Sequence, residues 1–409
     1  MENKVPVYSL TCVVAAMFGS AALAESSFSD RLTGDWGGAR ARLYQRGMTV
    51  DLESAHYYQG LLSGSGDDDF DYAGRLDAFV NFDTGKLGLW KGGLLRTHTE
   101  YRYGDLSSNL GGTLIATNAS LLLPTGAHEE VIVTSIHLAQ RLGDRINLLI
   151  GRINALDLIE ADPFFGGGGR SRFLNMAFSA PPSGVTPAVI MGAVATIRAE
   201  PINWTLMVFE PDDRTRDYWP DDFFGSGINV SVSASYAGEI FGHASGVTLT
   251  GTYSTKDGAN LGELLLPADL RTGDKDHSWF LGVQFVYYLR QSAQQPAEAW
   301  GVFLKTAASD GNPNPFQGSI MGGIGGRGLF DSRPNDTFGL GYFYVNFSDE
   351  LQSAIDPLVA FQDEQGIEAF YNYAFNEWLM LTADLQYVNP ALGDTDNAFV
   401  AGLRATIRF

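Results

Sequence analysis

From residue 48 to Phe409, apolar and polar side chains alternate in segments of ten or so residues, each ending in a turn or a loop. The last twelve residues, AFVAGLRATIRF, show the pattern most clearly. Phe399, Ala401, Leu403, Ala405, Ile407 and Phe409 fall on one face, and Gly402, Arg404, Thr406 and Arg408 on the other. A two-residue period is that of a β-strand, whose successive side chains point to opposite sides. A soluble half-buried strand would share it. Position favours another reading, because a final strand that stops on an aromatic residue suits the closure of a membrane barrel at its interfacial girdle.

The same alternation predicts strands over 48–60, 72–83, 92–103, 131–141 and 145–152, the last two joined by a tight Leu142-Gly143-Asp144 turn. Further strands are predicted over 188–199, 204–209, 227–237, 247–255, 278–289 and 299–307. The glycine-rich 317–328 is the weakest candidate; 338–347, 366–375, 378–388 and 398–409 bring the count to about sixteen. Short turns at 142–144, 200–203, 239–243 and 376–377 alternate with long polar loops at 104–130, 153–187, 210–226, 256–276 and 348–365. An even strand number with short turns at one end and long loops at the other is the organisation of an outer-membrane barrel. Tyr57, Tyr101, Tyr103, Trp204, Tyr253, Tyr288, Phe347, Trp378 and Tyr387 gather at strand ends, where interfacial aromatic belts lie. The expected fold is all-β: a transmembrane antiparallel β-barrel over 48–409, preceded by a short N-terminal helix within 25–47.

Composition narrows the class. After residue 24 no stretch approaches the eighteen or so apolar residues of a spanning helix, which excludes a helical membrane protein and leaves a barrel open. A formal charge of −20 argues against nucleic acid and fits acidic exposed loops. Residues 1–24 read as an export signal: Lys4 offset by Glu2, an apolar run over 13–18, and Ala22-Leu23-Ala24 as a cleavage site before Glu25. Cys12, the single cysteine, lies inside that segment, and Ser9-Leu10-Thr11 before it do not make a lipoprotein signal. The mature chain would have no disulfide, and a closed, fully hydrogen-bonded barrel supplies stability instead. In 32–47 a short helix with Trp36 and Leu43 on its apolar side should stop at Gly47. It reads as a cap on the periplasmic end, with a plug in the lumen as the alternative.

Several stretches resemble the carbohydrate-selective porin family (OprB-like): LTGDWGGAR at 32–40, GRIN at 151–154, DGNPNPF at 310–316 and EAFYNYAFNEWLMLTADLQYVNP at 368–390. GRGLFDSRPNDTFGLGY at 326–342 is similar to the same family. The likeness spans about residues 30–409. It implies a sixteen-stranded outer-membrane barrel, without enzyme activity, that admits small glucose-like sugars by passive diffusion. The alternation establishes only a barrel; the sugar preference comes from the resemblance. The alternative is a general cation-preferring porin without sugar selectivity, motivated by the acidic balance. A third reading is an outer-membrane enzyme or surface-binding protein with a filled lumen.

In such a channel, charged side chains at the narrow place set the field and the diameter sets the size limit. The third strand is the strongest candidate, with Arg96, His98, Glu100 and Arg102 on one face. Arg75 and Asp77 of the preceding strand share its inward parity and are its antiparallel neighbours. Guanidinium beside carboxylate offers fixed donors and acceptors to sugar hydroxyls; the same set also reads as a salt-bridge ladder that stiffens the wall. Loop 155–187 is the second candidate. Phe164-Phe165, four glycines (166–169), Arg170 and Arg172 could fold inward, rings stacking on sugar C–H surfaces and arginines bonding hydroxyls. Its other reading is a mobile external loop. Arg152 and Asn154 would lie near the same narrowing.

Asp67, Asp68, Asp69 and Asp71 offer carboxylates that could take Ca²⁺ and bridge lipopolysaccharide phosphates. Without the ordered twelve-residue ligand spacing they read as a solvated acidic loop, and no other cofactor is expected. The glycine run 166–169 lacks the Lys-Ser/Thr ending of a phosphate loop, and His98 has no Cys or second His at ligand spacing. Ser135 and His137 share a strand face, but no third group completes a hydrolase. Expected partners are small sugars, outer-membrane lipid and lipopolysaccharide, and the barrel-assembly machinery through the strand ending at Phe409. Many porins are homotrimers; the outward faces here show no legible interface.

Overall fold

The computed structural model describes residues 28–124, 129–160, 162–164, 167–219, 221–292 and 298–409. The expected export signal lies outside them. The first eight strands are β1 Met48–Ser63, β2 Phe70–Asp83, β3 Gly93–Gly104, β4 Val131–Leu142, β5 Ile146–Asn154, β6 Val189–Ile197, β7 Ile202–Phe209 and β8 Asn229–Ile240. The second eight are β9 His243–Ser254, β10 Ser278–Gln291, β11 Ala299–Ser309, β12 Phe316–Arg327, β13 Thr337–Phe347, β14 Glu364–Ala374, β15 Leu379–Asn389 and β16 Ala398–Arg408. Each pairs with its neighbours in sequence, and β16 pairs with β1, closing an antiparallel barrel of sixteen strands. Closure leaves no unpaired edge, which is what a sheet in hydrocarbon requires.

The alternation is realised as expected in β16, where Leu403 is 60% exposed outward and Arg404 only 2% exposed inward. Leu76, Leu95, Val230, Val232 and Leu249 join the outward apolar band. Two elements differ from the sequence expectation. β9 begins at His243, four residues early, because only Phe241 and Gly242 form the turn, with φ of 51° and 78°. Positive φ at both positions matches the twist of a two-residue hairpin, and the small and polar residues before Val247 carry no alternation from which to read the extension. The weak glycine-rich candidate is a full strand, β12, paired on both sides. A Cβ on Gly323 would run into the Leu340 carbonyl oxygen, so close backbone approach, and not side-chain pattern, defines it.

Five short α-helices lie among the described residues: α1 Ala39–Gln45, α2 Ala119–Leu122, α3 Ala155–Ile159, α4 Met176–Ser179 and α5 Asp349–Ile355. α1 packs where β1 and β16 meet. The Arg40 guanidinium lies 4.1 Å from the Trp36 ring and donates to the carbonyl oxygens of Phe409 (2.6 Å) and Gly34 (2.8 Å). The Leu32 amide donates to the Arg408 carbonyl at 2.8 Å. The N-terminal segment is thus a clasp on the barrel seam.

The core lies inside the barrel. The segments 105–124 and 155–188 turn inward, and Phe164, Phe173 and Phe178 pack on Phe303, Phe343 and Phe370 of the wall. The inner face of β11–β14 is apolar where the loop sits, an arrangement no single strand reveals.

Candidate functional site

The loop 155–188 crosses the lumen, and one device anchors it twice, at its start and again at Asn175. Asn154 caps α3, its side chain accepting from the Leu156 amide at 3.0 Å, while its Nδ2 donates to Glu100 Oε1 at 2.9 Å. Asn175 caps α4 in the same way, accepting from the Ala177 amide at 2.9 Å. Its own amide donates to Glu368 Oε2 at 3.0 Å, and its Nδ2 to Gln386 Oε1 at 3.1 Å. Each cap satisfies an orphan helix amide and ties the loop to a wall residue at once. A register shift between β3 and β4 aids the first anchor. His98 pairs with Ser135 and Thr99 with Val133, leaving Thr134 as an extra residue whose hydroxyl reaches Glu100 at 3.0 Å.

Between the anchors the loop runs against segment 105–124. Gly169 has φ +74°, and a Cβ there would lie 2.9 Å from the Ser120 amide nitrogen. Its carbonyl accepts from Arg404 Nη1 (2.7 Å) and Tyr57 Oη (3.3 Å). Arg404 also bonds the Arg172 carbonyl (2.9 Å) and Asn372 Oδ1 (3.0 Å).

The structure brings seven of the sequence candidates into one buried network, Asn154 among them through its bond to Glu100. Arg75 forks onto Asp77 through Nε (2.9 Å) and Nη2 (2.7 Å), and its Nη2 also meets Glu100 at 3.0 Å. Arg102 meets Glu100 at 2.9 Å. The two His98 ring nitrogens face Asp77 (2.8 Å) and Asp157 (3.0 Å). Arg170, from the loop, comes within 3.6 Å of Asp77 and pairs with Glu160. Arg75, Asp77, His98, Glu100 and Arg102 are each no more than 2% exposed. Asp77, His98 and Glu100 also stand close enough together to hold a cation, but Arg75, Arg102 and Arg170 already supply the positive charge. Burial by itself would push the Asp157 carboxyl up; the facing His98, Arg170 and Arg96 outweigh it and hold the group down at about 2.

The remaining candidates go elsewhere. Arg96 is half-buried on the lumen side of β3. Arg152 lies 4.0 Å from the Tyr218 ring and donates to the Arg214 carbonyl (2.9 Å), so it holds the loop 210–228. Phe164 is buried against Tyr288 and Phe303, with ring centroids 5.5 Å from each, and presents no free face. Arg172 donates to the Glu160 carbonyl at 2.8 Å. Phe165 lies outside the described residues. Ser135 Oγ faces Asp157 (3.4 Å), not His137, so the pair shares a strand face without meeting. Asp67, Asp68 and Asp69 cluster in an exposed loop, with Asp71 on β2.

What the charges leave open is a cavity of about 370 Å³ between the loop and the inner face of β7–β12. Its loop side is Leu156, Leu158, Ile159, Met176, Pro181 and Pro182. Its wall side carries Ser231, Ser233, Thr248, Thr250, Thr252 and Gln284 beside apolar Met207, Phe280, Val283 and Phe316. Asp162 and Lys305 are its charged lining residues, and Gln284 Nε2 donates to Asp162 Oδ2 at 2.8 Å across the gap. Sequence reasoning passed over this wall because it looked for charge. The signal was present as a hydroxyl at every second position, in Ser231-Val-Ser-Ala-Ser235 and in Thr248-Leu-Thr-Gly-Thr252.

Residues 67–409 match the "Carbohydrate-selective porin, OprB family". Porin B of Pseudomonas aeruginosa is 24% identical over 440 residues, covering 94% of this chain and 93% of that one. QuiX of Acinetobacter baylyi is 24% identical over 457 residues, covering 98% and 99%. The high-pH structure of Pseudomonas putida OprB superposes with a TM-score of 0.79 at 20% identity, covering 94% of this chain and 100% of that one, a likeness of fold.

Proposed function

This chain belongs to the OprB family of carbohydrate-selective porins, and on that premise we propose that it admits small neutral sugars, glucose-like monosaccharides among them, by passive diffusion. The family and the fold are those of channel proteins of the outer membrane, not of enzymes. The observation that carries the reading is the inward loop 155–188, which leaves a cavity of about 370 Å³ with one carboxylate and one ammonium in its lining. That volume is at the small end of small-molecule sites. A near-neutral lining favours neither ion sign, and weak contacts let a solute leave as readily as it enters. The buried arginine–carboxylate network would then serve the passage indirectly, by holding the loop that shapes it.

Lipopolysaccharide around the barrel, recognition of the Phe409 strand by the assembly machinery, and assembly as a homotrimer belong to the same proposal. Liposome swelling with purified protein tests its centre, comparing glucose, a disaccharide and a neutral amino acid of glucose-like size. Rapid swelling with glucose and slow swelling with the others is the expected result. Equal rates for all small solutes, with a reversal potential showing strong cation preference, would establish the general porin instead.

A further inference from the structure

We infer that solute selection is carried by a ladder of hydroxyl pairs on β8 and β9, and that the ligand it takes is a neutral polyol ring moving along the rungs with an apolar face toward the loop. This rests on the reading of the cavity as the sugar passage.

The rungs are Ser231 with Thr252 (2.9 Å), Ser233 with Thr250 (2.9 Å) and Ser235 with Thr248 (3.0 Å). They stack along the barrel wall two residues apart, about 7 Å from rung to rung. A hydroxyl has one donor hydrogen and two acceptor lone pairs, so a pair bonded within itself still offers one donor and several lone pairs to a third group. Thr248 and Thr250, half-buried, line the cavity. A solute carrying hydroxyls around a ring can bond the next rung before releasing the last. The number of bonds stays nearly constant along the path, so no single position traps it.

A further feature matches that class of solute. The opposite side of the cavity, Leu156, Leu158, Ile159 and Met176, is apolar. That stretch rewards a C–H face and gives a hydrated ion no partner; the charges of the lining are confined to Asp162 and Lys305. The row of the middle rung continues across the wall to Thr205 and Thr196, whose hydroxyls have no protein partner. Both are 1% exposed and neither lines the cavity, so the ladder's contacts with a solute are confined to β8 and β9. At the rung nearest the short turns, Thr248 stands beside Gln284, the residue that reaches Asp162. Charged groups elsewhere in the lumen are engaged in holding the loop, and a guanidinium–carboxylate pair that released its partner for each solute would lose its anchor.

The test is the triple variant T248V/T250V/T252V, which keeps side-chain shape and strand propensity and removes the hydroxyls. Glucose-driven swelling should fall about five- to tenfold, the loss of one or two net hydrogen bonds, while KCl conductance and the rate for the neutral amino acid hold. The variant S231A/S233A/S235A, which leaves the threonines in place, should lower glucose entry about twofold. An unchanged glucose rate overturns the inference. So does an equal fall for both solutes, since the ladder would then only wet the passage. Retained KCl conductance reports a folded, open barrel; if the threonine variant fails to insert, the serine variant decides by the same two readings. Wild-type protein with no preference for glucose would remove the sugar-passage reading itself, before any variant is compared.

Discussion

The two sides of this lumen are built from opposite materials. The β2–β3 side carries Arg75, Asp77, His98, Glu100 and Arg102, drawn into ion pairs with one another and with the loop. The β8–β10 side carries serines, threonines and a glutamine, and faces the open cavity. Charged groups bind strongly and are expensive to leave unpaired away from water. Once a loop with complementary charges folds in, they bond to it and close up. Hydroxyls bond weakly and tolerate changing partners, so they can remain available. In a pore the residues that look most reactive therefore become the scaffold, and the bland ones are left for the solute.

The most damaging way to break this comparison is Arg75→Leu. It removes the two-pronged partner of Asp77 and one of the two guanidinium partners of Glu100 from a buried network, a loss of about 3 kcal/mol. The heat-induced gel shift of the barrel should move to lower temperature and disaccharide entry should rise as the loop loosens. An unchanged gel shift would mean the network contributes nothing to anchoring.

Acid titration attacks the same side without mutation. The Asp157 carboxyl is held at about 2, below its ordinary value of 3.8. A carboxyl whose folded pKa is depressed contributes stability that is present above the unfolded value and lost as pH falls through the folded one. The tether, worth about 2 kcal/mol, should be intact down to pH near 4 and weaken between about 4 and 2. Swelling with disaccharide measured across that range should rise only at its acid end. Asp157→Asn should abolish the transition.

A control lies outside both sides. Arg40→Gln removes the guanidinium contacts to the Phe409 and Gly34 carbonyls at the seam. It should cost about 1–2 kcal/mol in barrel stability and leave relative swelling rates unchanged. A changed glucose preference in that variant would mean that seam and passage are coupled.

The smallest effect sharpens the comparison on the open side. Lys305→Met leaves Asp162 as the charged group of the cavity lining. The ratio of cation to anion permeability, from the reversal potential in a salt gradient, should rise about twofold, as expected for one partly screened charge. Glucose entry should change less than the ion ratio.

Sequence alone determined much of this protein. Sixteen strands, their order, and the inward parity of Arg75, Asp77, Arg96, His98, Glu100 and Arg102 all follow from a period-two pattern, because neighbouring antiparallel strands fix which side chains share a face. Reading Asn154 near the narrowing also follows from its place at the end of β5. Tertiary structure decided where those groups went. Whether Arg75 meets a solute or the Ser120 carbonyl and Glu100 depends on a segment 45 residues away in the chain that folds inward, and no local period reports that encounter. Phe164 is the plainest case: an aromatic in a glycine-rich loop reads as a stacking surface, and the fold buries it against Tyr288 and Phe303. The hydroxyl ladder lay in the sequence as Ser or Thr at every second position, but only the position of the loop shows that this stretch of wall is left uncovered. Strand periodicity is a local property of the backbone, whereas exposure inside a barrel depends on which loops fold into it.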